Sequence, residues 1–151
     1  MPESLAYELH QLTARLDRAA DELLRGEAGV SYARFLALFA VRETRGTQRE
    51  LARWLGQSEP STSRMVGVLT EVGLLSVSRP PGAGNQRRLE LTEKGTRLVQ
   101  RCGRLLDGRF TDLVRRSGIP LEAYQLHTRT LLAQLEDDRG RSSGRPGAGR
   151  G

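Results

Sequence analysis

The side chains with the most evident chemistry in this chain are arginines and small hydroxyl residues. Pro60-Ser61-Thr62-Ser63-Arg64 places two serines and an arginine within about one helical turn. Arg79, Arg87 and Arg88 bracket a Pro/Gly-rich stretch. Guanidinium groups present several N–H donors in a planar fork, and hydroxyls donate or accept, so this set suits phosphates and base edges. It does not suit bond-breaking. No Ser/His/Asp or Cys/His arrangement, phosphate-cradling glycine loop or metal motif stands out, so no enzymatic activity and no cofactor is expected. Cys102 is the only cysteine, which leaves no intrachain disulfide and no cysteine-based zinc site. His10 and His127 are too few for a zinc cluster of their own.

Charge agrees with that chemistry. The 151 residues carry a formal net charge of +6, and of 24 basic residues only Lys94 is a lysine. A basic balance attracts polyanions, nucleic acid foremost. Aromatic residues are 5% of the chain, so the core must rest on Leu, Val and Ala. Met1–Leu5 lacks the basic start and apolar stretch of a secretory signal. No apolar run approaches the roughly 20 residues of a membrane span. A cytoplasmic, nucleoid-associated protein is expected.

The elements that must hold these residues follow from periodicity. Leu5, Leu9, Leu12, Leu16, Ala19/Ala20 and Leu23 recur at helical spacing after Ser4, a candidate cap, and Gly26 and Gly29 end that helix. A second helix begins at Ser31, and its broad apolar face (Tyr32, Phe35, Leu36, Phe39, Ala40) predicts a central position. Thr47-Gln48-Arg49-Glu50 matches a capping box. Leu51, Ala52 and Leu55 then face inward, and Gly56 stops the third helix. Ser58 caps a fourth, with Pro60 in its first turn and Thr62, Met65, Val66 and Leu69 as its buried stripe. Two short helices joined by a tight turn describe a helix-turn-helix. Leu75/Val77 and Leu89/Leu91 alternate with polar residues on either side of Arg79–Gln86, which reads as two strands and a loop. Thr92 caps a long fifth helix carrying Leu98, Val99, Cys102, Leu105, Leu106, Phe110, Leu113 and Val114. Ser117–Pro120 breaks it, and a sixth carries Leu121, Tyr124, Leu131, Leu132 and Leu135. From Asp138 the chain is Gly, Ser, Arg and Pro and is expected to be a disordered basic tail. Its Arg139, Arg141, Arg145 and Arg150 are candidates for non-specific DNA attraction or simple solubility.

Three strings in this order resemble the MarR family of bacterial transcription regulators. Thr47–Gly56 is similar to the family's first motif helix. Pro60–Val66 with Leu69 and Gly73-Leu74-Leu75 is similar to its recognition helix and exit. Leu89–Gly95 is similar to the returning wing strand and the next cap. The resemblance covers roughly residues 5 to 136. It implies a mainly α fold: a winged helix-turn-helix lobe over about 31–92, with a three-helix core and a two-stranded wing. Long dimerisation helices at about 4–25 and 93–136 complete a single domain of residues 1–137, with the tail at 138–151. One departure stands in the wing. The family usually has an acidic residue shortly before an arginine, whereas here Gly84-Asn85-Gln86-Arg87-Arg88 has none, leaving Asn85 or Gln86 to support the arginine by weaker hydrogen bonds.

The resemblance implies a dimeric repressor of the MarR type on a pseudo-palindromic double-stranded operator, released by a small molecule. Arg64 is the leading base reader, since bidentate arginine–guanine contacts discriminate by about 1–3 kcal/mol. Pro60, Ser61 and Ser63 flank it. Glu59 either accepts from cytosine or simply suits the positive helix terminus. Arg87, with Arg88 beside it, is the candidate for the minor groove, Arg79 a further wing contact, and Arg49 and Arg53 either touch phosphates or form surface pairs. Leu5, Leu9, Leu12, Leu113, Tyr124, Leu131 and Leu135 are the candidate homodimer residues, with packing inside one chain the competing role. A small aromatic or anionic effector would draw on His10, Arg15, Phe35 and Phe39, against core packing for the phenylalanines and a surface position for His10. Cys102, between Val99 and Leu105 on an apolar stripe, is expected to be a buried, inert thiol. A winged-helix protein-interaction module and a non-specific architectural DNA binder are the alternatives.

Overall fold

Apolar residues recurring at helical spacing between capped ends make this chain mainly helical. The computed structural model describes residues 4–44, 46–82 and 84–143. Among them the order is α1 (Leu5–Ala28), α2 (Tyr32–Thr44), α3 (Gln48–Leu55), α4 (Glu59–Glu71), β1 (Leu75–Ser78), β2 (Arg88–Leu91), α5 (Glu93–Arg116) and α6 (Leu121–Ser143). Contacts divide the chain into a unit ending at Asp107 and a unit beginning at Gly108, so α5 contributes to both.

In the first unit α2 is central, packing against α1, α3, α4 and β2. Its Phe35, Ala37, Leu38, Ala40 and Val41 are buried, as its broad apolar face requires. Leu24, Leu38, Leu51, Leu69, Leu75, Leu89 and Val99 complete a core with almost no solvent exposure. Each such side chain contributes about 1.5–3 kcal/mol on burial.

The caps explain where the helices begin. Thr47 and Glu50 close the capping box, each side chain taking the other's backbone N–H. Ser58 Oγ accepts from the Ser61 N–H, Thr92 Oγ1 from the Gly95 N–H, and Ser31 Oγ from the Arg34 N–H. Ser4 occupies the N-cap of α1, yet its side chain makes no capping bond. Gly26 does not end α1. The helix passes through it and stops at Gly29, whose left-handed φ of 66° lets the Gly29 and Val30 N–H groups turn back to the Leu24 carbonyl. Asp21 then fastens the α1–α2 corner. Its carboxylate accepts from Arg25 at 2.7 Å and from the Tyr32 N–H at 2.9 Å, and these bonds, Arg25's first, hold its pKa below the usual carboxylate value.

β1 and β2 pair antiparallel, Leu75 opposite Leu91 and Val77 opposite Leu89. Leu75 and Leu89 are buried while Ser76 and Glu90 are exposed, the expected alternation. A third partner joins them from outside the hairpin. Thr47 forms an isolated bridge to Arg88, so the residues before α3 extend the wing ladder.

The second unit holds the end of α5 and α6. Among the described residues no side chain of α6 is buried. The helix also continues to Ser143, through the first residues expected to be disordered. Helix propagation adds little cost once a nucleus exists, and Gln134 Nε2 donates to Asp138 Oδ1 at 3.0 Å across that boundary. Residues 144–151, including Arg145 and Arg150, lie outside the described residues. No helix among those described is long and apolar enough to cross a membrane.

Candidate nucleic-acid interface

The fourth helix presents its polar face because its apolar one is consumed. Thr62, Val66 and Leu69 are buried toward the core. The opposite side then leaves Glu59, Pro60, Ser63 and Arg64 exposed and Ser61 half-buried. Arg64 Nη2 donates to Ser61 Oγ at 3.2 Å, one helical turn away. That bond points the guanidinium along the helix toward its N-terminus, where unpaired backbone N–H groups favour anions.

Arg49 on α3 reaches across to α4 and pairs with Glu59 at 3.2 Å. Both side chains are well exposed, so this pair contributes at most about 1 kcal/mol to stability. Its role is geometric. It ties the two motif helices at the end that carries Pro60 and Ser61, and it neutralises the one carboxylate placed there by the sequence. Arg49 thus forms a surface pair, one of the two roles expected of it.

The wing lies beside this edge. Glu59, Arg49, Asn85 and Arg87 line one cleft of about 320 Å³ with Thr47 and Gln48. Arg79, Arg87 and Arg88 are exposed, and none has a side-chain partner among the described residues. Nor does Asn85 or Gln86 hydrogen-bond to Arg87, so neither amide replaces the absent wing carboxylate. The support comes from the backbone. The Gln48 N–H donates to the Arg87 carbonyl at 3.3 Å, and the Leu89 N–H to the Gly46 carbonyl at 3.2 Å. Gln48 Oε1, buried in its surroundings, finds no partner among the described residues.

The residues expected to hold an effector are not joined. His10 and Arg15 are exposed on the N-terminal half of α1, and Arg15 is bonded to Gln11. Phe35 is buried and Phe39 half-buried. No hydrogen bond, ion pair or ring contact among the described residues links the first two to the second two. Instead Tyr32, Phe35, Phe39 and Trp54 form a row with ring centroids about 6 Å apart, and the Arg42 guanidinium stands 4.8 Å above Phe39. Arg42 follows Phe39 by three residues, the helical spacing that brings the two side chains together. Cys102 is fully buried, and burial pushes its thiol pKa up, as an inert core cysteine requires.

Of the candidate dimer residues, Leu5, Leu9, Leu12, Leu113, Leu131 and Leu135 are exposed in the single chain, and Tyr124 is half-buried.

These features define a winged helix-turn-helix protein: a three-helix motif, a recognition-type helix that exposes Ser63 and Arg64, and a β wing with three exposed arginines. Among family models, the IclR helix-turn-helix domain matches residues 33–78, from α2 to the end of β1. That match stops short of the flanking helices. No curated protein matches the chain in sequence. Solved structures extend the likeness to nearly the whole chain. A cysteine-to-serine mutant of MarR from E. coli superposes with a TM-score of 0.76 at 20% identity, covering 89% of this chain and 98% of that one. A MarR-family protein from Bacillus stearothermophilus gives 0.75 at 20% identity, covering 89% and 93%. The M. tuberculosis transcriptional regulator MosR, solved in complex with DNA, gives 0.65 at 24% identity, covering 93% and 98%. The chain thus has the fold of MarR-family regulators over most of its length.

Proposed function

We propose that this protein is a sequence-specific regulator of transcription that binds double-stranded DNA as a homodimer. The observation carrying the reading is the single basic edge formed by the first turns of α4 and the wing. There Ser63, Arg64, Arg79, Arg87 and Arg88 are exposed, and Arg87 borders the cleft at the head of α3. An α-helix fits the major groove, where every base pair is distinguishable, and wing arginines suit an adjacent narrow minor groove. MosR with DNA and the E. coli MarR mutant with operator DNA bear the same fold.

Dimerisation is supported by what one chain leaves uncovered. Leu131 and Leu135 are 59% and 62% exposed on a helix with no buried side chain among the described residues, and Leu5 is 69% exposed on α1. A helix with apolar residues and nothing to bury them against needs a partner surface. Two copies related by a two-fold axis would place two recognition helices about 34 Å apart, one turn of DNA, so the operator would be pseudo-palindromic. Repression follows most simply from a dimer occupying a promoter, with release by a small-molecule effector.

The test is fluorescence anisotropy on the duplex upstream of the protein's own gene, against a scrambled duplex, over a salt series. Tighter, salt-sensitive binding to the native duplex is expected. A dimer by sedimentation that binds neither duplex at low salt would refute the reading and favour a protein-interaction role. Equal affinity for both would favour an architectural binder. Rising transcript levels of neighbouring genes on deletion are expected of a repressor, and a general fall would contradict that part.

A further inference from the structure

The basic edge proposed for DNA carries one acidic side chain at the head of its helix. Glu59 is the first residue of α4. A carboxylate there commonly serves the helix start, but that start is already capped, because Ser58 Oγ accepts from the Ser61 N–H. Glu59 instead turns across to α3, where its Oε1 accepts from Arg49 Nε at 3.2 Å. The two residues belong to different helices, so the packing of α3 on α4 makes this pair and helical spacing does not.

The pair uses only part of each side chain. Glu59 Oε2 and the two Arg49 Nη groups have no partner among the described residues. Both residues line the cleft between α4 and the wing, where Glu59 is the only carboxylate among the lining residues and Arg87 stands on the wing side. A carboxylate accepts hydrogen bonds and donates none. Beside DNA it therefore either repels phosphate oxygens or accepts from a base. The donors in the major groove are the amino groups of cytosine and adenine. Adenine's N7 acceptor stands beside its amino group and repels a carboxylate, whereas cytosine presents only its N4 amino donor there.

We propose that Glu59 is a specificity-determining residue that selects cytosine at one position of each operator half-site, with Arg49 as its positioning residue. Arg49 holds Oε1, which leaves Oε2 for the cytosine N4 amino group in a charge-assisted bond. The guanidinium also offsets the repulsion between the carboxylate and the neighbouring phosphates. Without it, Glu59 is an uncompensated negative charge on the DNA-facing edge. This assignment rests on the proposed DNA-binding role and deepens it.

The experiment is selection from a randomised duplex library by the full chain, followed by anisotropy on the enriched duplex and its single-base substitutions. The wild-type protein is expected to enrich cytosine at one position per half-site, with the other bases there binding about tenfold more weakly. Glu59→Gln is expected to exchange that preference for adenine, which a glutamine amide contacts through N6 and N7, while the other positions keep theirs. Arg49→Met is expected to weaken binding about tenfold when Glu59 is present and less than about twofold in the Glu59→Gln background, because a neutral amide needs no counter-charge. Both positions are exposed, and thermal melts check that each variant folds. An equal loss in both backgrounds, with the salt slope lowered by about one, would make Arg49 a phosphate contact and overturn its positioning role. A wild-type selection without a cytosine position, or unchanged base preferences in Glu59→Gln, would overturn the proposal and leave the DNA-binding reading standing. A wild-type chain that enriches no sequence and binds no duplex at low salt would overturn both.

Discussion

The backbone N–H of Gln48 donates to the carbonyl of Arg87 at 3.3 Å, so the head of α3 and the wing share one ladder. This bond holds the wing arginine's backbone without any acidic side chain. It also makes a clean separation of roles testable. Gln48 is the first residue of α3, where proline is tolerated, and Thr47 before it is already extended. Gln48→Pro is expected to keep the helical content while raising amide exchange at Leu89. Arg87→Ala is expected to keep that protection and lower the salt slope of DNA binding by about one. Unchanged exchange in Gln48→Pro would show that the ladder does not depend on this bond.

Arg64 is exposed and bonded only to Ser61, so its truncation should leave the fold intact. Arg64→Ala is expected to cost about 1–3 kcal/mol in affinity for the native duplex and little for a scrambled one. An equal loss on both duplexes, read by anisotropy, would reassign Arg64 to phosphate.

Two glycines on neighbouring helices predict opposite signs. A Cβ on Gly95 would lie 2.1 Å from the Leu74 carbonyl oxygen, a backbone atom that cannot swing aside. Gly95→Ala is expected to lower the melting temperature by several degrees, since it forces α5 off the strand entry. A Cβ on Gly67, in the middle of α4, meets nothing within 4 Å. Gly67→Ala is expected to stabilise by about 0.5–1 kcal/mol, the usual gain of replacing a helical glycine. Melts that move the same way for both would contradict this packing at α5.

Cys102 ties stability to pH. Its folded thiol pKa is raised by burial, so the unfolded chain loses this proton first as pH rises. The unfolded state then binds fewer protons, and stability falls above the free-thiol value of about 8.5. Cys102→Val is expected to flatten that fall in denaturant titrations. A folded protein whose thiol reacts with a maleimide as fast as the unfolded chain would disprove a buried, inert Cys102.

Much of this architecture was readable along the chain. Thr47-Gln48-Arg49-Glu50 specified a helix start because its hydrogen bonds close within four residues. Thr62, Val66 and Leu69 marked the inner face of α4 because helical spacing alone brings them together. The same logic failed where a signal was local but not decisive. Gly26 resembled a stop, yet only Gly29 takes the left-handed φ that turns the chain. Asp138–Ser143 resembled a tail, yet α6 propagates through it.

What the fold alone decided involves residues far apart in the chain. The Arg87 carbonyl meets the Gln48 N–H, Arg49 meets Glu59, and Lys94 crosses to the Val72 carbonyl. No periodicity encodes these meetings, because they depend on how helices pack and where strands turn. Short-range hydrogen bonds and apolar spacing write the elements into the chain, and the close approach of separate elements chooses which of their surface groups act together.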